Sequence, residues 1–144
     1  MDNCIICKIV SSPEKNFVVY EDEGYIAFLD IRPVFLGHCL LSPKTHYSTF
    51  YDLPNEKIED YFTLLKRLGK SVEKAVSAQG TFIAMNNKIS QSIPHLHCHI
   101  IPRNKGDGLK GFFWPRVSYQ DDAQKKEIQL RIKKNIGEIV GEDR

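Results

Sequence analysis

The chain has 144 residues, of which 42% are hydrophobic and 26% are charged, and its formal net charge is +2. This length suits one domain that buries a core of its own. No run of Lys and Arg indicates a nucleic-acid partner, and no apolar run approaches the length of a membrane span. The first residues carry no export signal, so the four cysteines predict a cytoplasmic protein with free or metal-bound thiols.

Two cysteines, Cys4 and Cys7, stand near the start of the chain with Ile5 and Ile6 between them. Thiols at this spacing can reach one metal ion from a tight turn. A redox role for the pair would need a βαβ context, which the following sequence does not provide. The sequence therefore predicts half of a metal site or, alternatively, a pair of small buried hydrophobic residues.

A β-hairpin is predicted next, with strands over 17–20 and 25–29 and a turn at 21–24. Asp30 stands where the second strand ends, beside the apolar Phe28. A carboxylate at that point can accept two hydrogen bonds from a ribose diol. The alternative is an aspartate that caps a turn, and the local sequence favours neither.

A third strand is predicted over 37–41, entered through Gly37, and a loop that contains His46 ends it. His38 and His46 are the two histidines that lie outside the row at positions 95, 97 and 99. Because the cysteine pair needs two further ligands, His46 is a reasonable partner for it. His38 has no such partner in the sequence.

From Pro54 to Gln79 the hydrophobic period changes to 3.6 residues, which predicts a long helix lying on the sheet. Gly80 is expected to end this helix. The predicted apolar stripe consists of Ile58, Tyr61, Phe62, Leu65, Leu68, Val72, Ala75 and Val76. A final helix is predicted from about residue 121, with four isoleucines in register.

A fourth strand, predicted over 81–85, leads into a polar loop at 86–94. Amide and hydroxyl groups are concentrated in this loop, which indicates an anion-binding loop; an ordinary polar hairpin is the alternative.

The sequence also contains an aromatic cluster, Phe112–Trp114. Its apolar surface must be buried, and the core, a nucleotide base or a second subunit can bury it.

Three histidines, His95, His97 and His99, alternate with apolar residues. Strict alternation predicts a strand over 95–101 with the imidazoles on one face and the apolar side chains in the core. The Cα atoms of the outer two are then about 13 Å apart, four strand rises. One zinc ion with Zn–N bonds of about 2.0–2.1 Å would gather all three only with difficulty.

A division of labour among the histidines fits this geometry better. One closed structural zinc site is predicted from Cys4, Cys7, His46 and His95. His97 and His99 then remain free for chemistry. A neutral imidazole is a competent nucleophile near pH 7, and attack on phosphorus requires its other nitrogen to be tied to an acceptor such as a backbone carbonyl.

The expected product is a phosphoramidate on His97, which water then cleaves. Phosphoryl oxygens need hydrogen-bond donors in the transition state. The donors within plausible reach are His99, Ser92, Gln91 and Asn86.

The segment 91–101 resembles the histidine triad superfamily, whose mark is His-x-His-x-His with apolar residues between and after the histidines. Two further features resemble the fragile histidine triad branch: the segment after the histidines, with Arg103 and 106–107, and the spacing from Asp30 to His38. The resemblance covers about residues 4–115. Asp30 itself matches the phosphoramidase branch, and the cysteine pair with 43–46 resembles bacterial members that carry a structural zinc.

The resemblance implies an α+β fold, with an antiparallel sheet of about five strands and two helices, extended across a homodimer. It implies one domain over residues 1–144, with a core at about 4–115 and a C-terminal helical extension at about 121–140.

The resemblance also implies a nucleotide hydrolase or transferase that cleaves at the α-phosphate of a dinucleoside polyphosphate-type substrate through a nucleotidyl-histidine. The implied catalytic residues are His97, His99, Ser92 and His38. The implied residues for binding a purine nucleotide are Asp30, Phe28, Ile5, Ile6, Asn86, Gln91, Ser92 and His99; whether Asn86 or Asn87 contacts the phosphate stays open. The implied zinc ligands are Cys4, Cys7, His46 and His95, and the chemical step itself requires no metal or organic cofactor.

Three alternatives remain. The first is a purine nucleoside phosphoramidase. The second is a nucleotide-binding module with vestigial activity, for which the aromatic cluster would be a docking surface. The third is a metalloenzyme whose active site is the histidine row.

Overall fold

The computed structural model describes residues 3–110 and 116–142. The chain divides into two compact units, Met1–Gly108 and Leu109–Arg144, and each is described by itself. The predicted aromatic cluster Phe112–Trp114 lies outside the described residues.

Five strands and two α-helices make up the described part of the first unit. In chain order they are α1 (Ile5–Ser11), β1 (Val18–Glu21), β2 (Tyr25–Leu29), β3 (Cys39–Pro43), α2 (Ile58–Val76), β4 (Gly80–Ala84) and β5 (Cys98–Arg103). Short 3-10 turns lie at Pro13–Lys15, Phe50–Asp52 and Asn55–Lys57. The strand order is β1-β2-β3-β5-β4 and every neighbouring pair is antiparallel. The predicted α+β class is confirmed.

The two faces of the sheet bury separate hydrophobic clusters, because side chains alternate along each strand. The face under α2 contributes Tyr25, Ala27, Cys39, Leu41, Leu96, Cys98 and Ile100. The opposite face contributes Ile26, Phe28 and Leu40, which pack with Ile6 and Ile9 of α1. The histidines at 97 and 99 alternate with members of the first cluster, so they face the side on which α1 packs.

Helix α1 is absent from the sequence prediction, which expected two helices, whereas the structure has three. Its residues include Ile5, Ile6 and Ile9, and β-branched side chains lower helix propensity. Tertiary packing overrides that preference: Ile6 and Ile9, three positions apart, are both buried against the sheet.

The long helix is shorter than predicted at both ends. Two 3-10 turns precede it, and α2 begins only at Ile58. It ends at Val76, and the next residue, Ser77, adopts a left-handed conformation with φ 53°, whereas Gly80 pairs with Arg103 in the sheet. The stop predicted at Gly80 was wrong because the chain turns three residues earlier.

The apolar stripe of α2 also differs from the prediction at four positions. Leu64 is buried although it was left out of the stripe, whereas Phe62, Ala75 and Val76 are exposed although they were included. The remaining core positions, Tyr61, Leu65, Leu68 and Val72, are buried as expected.

The predicted histidine strand forms only from Cys98 onward. Before that point the backbone is irregular: the amide of His95 donates to the carbonyl of Ile93, and the amide of Leu96 donates to that of Tyr47. Leu96, Cys98 and Ile100 all belong to the core cluster under α2, as the alternation predicts, although His95 and His97 are buried as well. The prediction was therefore right about the faces and wrong about the ladder.

In the second unit the described element is α3 (Asp122–Glu142), close to the predicted bounds. Its isoleucines at 132, 136 and 139 are all exposed by about half of their surface. None of the helices among the described residues has the length and apolar character to cross a bilayer.

Gly37, directly before His38, has φ +98°, and a Cβ placed there would lie 2.9 Å from a methyl group of Val76. We expect Gly37→Ala to lower the free energy of unfolding by about 1–3 kcal/mol, through backbone strain and the clash. Gly24→Ala is the matched control, since its Cβ would meet nothing closer than 3.9 Å. Urea denaturation checks both variants, and equal effects would contradict the argument.

Candidate functional site

Four side chains from three separate segments meet in one cluster: Cys4, Cys7, His46 and His95. Their ligand atoms all lie within 4.8 Å of one another. The Nδ1 atom of His95 is 3.4 Å from Sγ of Cys4 and 3.5 Å from Sγ of Cys7, and Nδ1 of His46 is 3.3 Å from Sγ of Cys7. Tetrahedral zinc with bonds of about 2.3 Å to sulfur and about 2.05 Å to nitrogen requires S···N separations of about 3.6 Å.

The second nitrogen of His95 supports the same interpretation. Its Nε2 is 2.8 Å from the carbonyl oxygen of Pro43, which can only accept, so Nε2 carries the proton and Nδ1 is free to bind a metal. The cysteines come from the start of α1, and His46 comes from the loop after β3. Two thiols and two imidazoles in this arrangement are a donor set that fits zinc.

Beside this cluster is a cavity of about 460 Å³. The predicted site residues that line it are Ile5, Ile6, Phe28, Asp30, Ser92, His97 and His99. Its walls are mostly apolar, with charged and imidazole groups at the side formed by Asp30 and the histidines. That composition is typical of a small-molecule site.

His97 has the hydrogen bond that a nucleophilic imidazole needs. Its Nδ1 lies 2.7 Å from the carbonyl oxygen of His95. A carbonyl only accepts, so Nδ1 carries the proton and the lone pair of Nε2 is available to an electrophile. The ring is 7% exposed and lines the cavity.

His38 and His99 form a hydrogen-bonded pair next to His97. The Nε2 atom of His38 lies 2.9 Å from Nδ1 of His99, and the rings of His97 and His99 have centroids 5.2 Å apart. Burial, followed by the positive charge that His97 and His38 would carry, lowers the pKa of His99 to about 4. Burial also lowers the pKa of His38, against the opposing effect of Asp30. Both rings are therefore neutral at pH 7.

Asp30 caps a turn and also lines the cavity. Its Oδ1 accepts a hydrogen bond of 2.7 Å from the amide of Arg32, which caps the turn after β2. Its Oδ2 lies 3.6 Å from Nε2 of His38, and the residue lines the cavity. The turn holds the carboxylate in place without using both of its oxygens.

The polar loop before the histidines uses its amides on backbone groups. Gln91 donates to the carbonyl of Ser48 at 2.6 Å and accepts from the amide of Lys88 at 2.9 Å. Asn86 donates to the carbonyl of Ser90, and Asn87 accepts from the amide of Phe50. Among the described residues that line the cavity, Ser92 is the predicted phosphate donor from this loop.

The cavity also contains residues that the sequence analysis missed. They include Lys15, Asn16, Phe17, Ile31, Arg32 and Ile93. Ile31 and Arg32 directly follow Asp30, so proximity to that carboxylate was an available signal. Nothing in the local sequence places 15–17 at the cavity, because the packing of α1 decides it.

A family model described as the HIT domain matches residues 12–106 of this chain. The Bacillus subtilis (strain 168) protein named Protein hit is 38% identical over 131 residues, which cover 89% of this chain and 88% of that protein. The chain belongs to the HIT family. The resemblance to the histidine triad superfamily is thereby confirmed.

Two further relatives of this HIT-family chain carry informative names. The adenosine 5'-monophosphoramidase HNT1 of Saccharomyces cerevisiae is 37% identical over 108 residues, covering 74% of this chain and 66% of that protein. A zinc-bound histidine triad family protein of Mycobacterium smegmatis has a crystal structure similar to this one, with a TM-score of 0.70 and 31% identity. The match covers 86% of this chain and 89% of that one.

The low pKa of His99 predicts acid sensitivity of the fold. An unfolded His99 takes up a proton near pH 6.5, whereas the folded ring does so near pH 4. Its contribution to stability is therefore complete above pH 6.5 and is lost as the pH falls towards 4. His99→Asn removes this titration, so we expect its free energy of unfolding to decline less between pH 7 and pH 5. Urea denaturation at each pH measures both slopes; identical slopes would contradict the prediction.

Proposed function

We propose that this protein is a nucleotide hydrolase or transferase that cleaves at the α-phosphate through a nucleotidyl intermediate on His97. The observation that carries the proposal is the hydrogen bond of 2.7 Å between Nδ1 of His97 and the carbonyl of His95, which leaves Nε2 unprotonated in the cavity. Such a ring can attack phosphorus without first losing a proton.

In the first step Nε2 of His97 forms a bond to the α-phosphorus, and the bond from phosphorus to the leaving group breaks with its electron pair. The imidazole keeps its Nδ1 proton, and the carbonyl of His95 stabilises the positive charge that develops on the ring. In the second step the oxygen of water attacks phosphorus and releases a proton, which the departed leaving group or solvent takes up; the P–N bond breaks, and Nε2 recovers its lone pair. The products are a nucleoside monophosphate and the leaving group.

The substrate is proposed to bind along the cavity. Ile5, Ile6 and Phe28 supply the apolar surface for a purine base, and Asp30 offers a carboxylate for ribose hydroxyls. Ser92 and His99 are the proposed donors to the phosphate oxygens. Asn86, Asn87 and Gln91 hold the loop that presents Ser92, since their amides bond to backbone groups.

A purine nucleoside phosphoramidase is the second candidate, and the name of the yeast relative favours it. Asp30 is also the residue of that branch. Both candidates share the attack by His97 and differ in the leaving group, which is a phosphate oxygen in one and an amine nitrogen in the other. Parallel assays of diadenosine polyphosphate and adenosine phosphoramidate, compared as kcat/KM, distinguish them.

We propose that Cys4, Cys7, His46 and His95 hold a structural zinc ion. The distances and the proton position on His95 support this assignment, as does the zinc-bound relative. A closed site with four protein ligands leaves no position for a substrate. When bound, the ion would cross-link the start of α1 to the backbone just before β5.

We further propose the homodimer with a continuous sheet that the family resemblance implies. Strand β4 is an edge strand, and on its outer side no described strand pairs with it. Such an edge exposes backbone groups that a second copy can satisfy. Sedimentation equilibrium tests the assembly, and a monomer at micromolar concentration would refute it.

The covalent intermediate is accessible to direct measurement. After rapid acid-free quenching with either substrate, we expect intact mass spectrometry to show one nucleoside monophosphate per chain on the wild type and none on His97→Ala. Turnover by His97→Ala should fall by at least about 10³-fold, as for loss of other catalytic nucleophiles. Full turnover by that variant would overturn the proposed chemistry.

Metal content separates the structural site from the histidine row. We expect one zinc per chain in the wild type and in His97→Ala, and loss of zinc in Cys4→Ser. Cys39→Ala is the matched control, because Cys39 is a buried cysteine outside the cluster. Elemental analysis decides: loss of metal from His97→Ala but not from Cys4→Ser would favour a metalloenzyme.

A further inference from the structure

A main-chain group directs the protonation of the imidazoles beside the nucleophile. The backbone N–H of Val34 donates to Nδ1 of His38 at 3.1 Å. An amide N–H donates and does not accept, so Nδ1 of His38 must present its lone pair. In the neutral ring the proton of His38 therefore resides on Nε2.

The same reasoning continues to His99. The Nε2 atom of His38 now carries the proton and faces Nδ1 of His99 at 2.9 Å. Nδ1 of His99 must accept, which leaves the proton of that neutral ring on its own Nε2. His38 is 3% exposed, and the only carboxylate within 4 Å of it among the described residues is Asp30, at 3.6 Å.

We propose that the backbone N–H of Val34 is a positioning group that fixes the tautomers of His38 and His99, so that His99 presents an Nε2–H donor to the cavity. The catalytic use of that donor rests on the proposed function, whereas the tautomers themselves do not. His97 has an assigned proton as well, since its Nδ1 donates to the carbonyl of His95.

The arrangement also limits what His99 can do. If His99 gave its Nε2 proton to a leaving group, it would need a replacement proton on Nδ1 from His38. His38 would then need a new proton on its Nδ1. That position already accepts the hydrogen bond from the N–H of Val34, and an amide does not give up its proton. His99 therefore stabilises charge on a phosphoryl oxygen as a neutral donor and does not act as a general acid resupplied through His38.

Long-range ¹H–¹⁵N correlation spectra of the ligand-free, zinc-loaded protein at pH 7 report each tautomer directly. We expect the unprotonated nitrogen to be Nδ1 in His38 and His99 and Nε2 in His97. A protonated Nδ1 on His99 would overturn the proposal. Because this measurement uses no substrate, the expected tautomers can be found even if the protein does not cleave nucleotides. A failure of the proposed function can thus be told apart from a failure of the tautomer assignment.

Substitutions test the role of the amide. Val34→Pro removes the N–H, and we expect His99 to populate both tautomers; Val34→Ala keeps the N–H and should keep the Nε2–H form. Unchanged spectra in a folded Val34→Pro would overturn the proposal.

A second pair of variants tests His38 if Val34→Pro does not fold. The side-chain amide of His38→Gln can still donate to His99 but cannot transfer a proton onward. We expect His99 to keep its Nε2–H form in His38→Gln and to lose it in His38→Ala, and kcat to be at least about tenfold higher in the former. Mixed tautomers in His38→Gln would overturn it, as would equal kcat values in two variants that both turn over substrate.

Discussion

The geometry of the candidate site depends on His95, whose ring and backbone serve two different parts of it. Its ring contributes Nδ1 to the cysteine–histidine cluster and is held from behind by the carbonyl of Pro43. Its own carbonyl accepts the Nδ1 proton of His97. The orientation of the proposed nucleophile is therefore tied to the proposed zinc site through a single peptide group. A disturbance of the cluster would reach His97 through the backbone of His95 and the hydrogen bond that its carbonyl accepts.

The antiparallel sheet separates packing from chemistry. One face of β2, β3 and β5 packs under α2, and the other face meets α1 and borders the cavity. Alternation along β5 then places Cys98 and Ile100 in the core while His99 faces the cavity. Because α1 covers only part of that second face, Phe28 contributes to a hydrophobic cluster and also lines the cavity.

Backbone groups orient three of the histidines. Carbonyls of Pro43 and His95 and the amide of Val34 each contact one imidazole. Backbone dipoles in a folded segment keep fixed directions, so they can assign protons without adding charge to a site that is proposed to bind phosphate groups. In the neighbouring loop, the side-chain amide of Gln91 bonds to backbone groups and so helps to fix the conformation of that loop.

The local sequence was sufficient for features that depend on periodicity and residue chemistry. Alternation identified the faces of the histidine segment, and the spacing of Cys4 and Cys7 indicated shared ligation, although the full set of partners for that pair came from the family resemblance. Tertiary structure decided the rest. Helix α1 forms because Ile6 and Ile9 find a sheet to pack on, and Gln91 bonds to Ser48, 43 residues away. The tautomers of His38 and His99 follow from a backbone N–H, and every non-proline residue carries one, so no residue type in the sequence could have marked it.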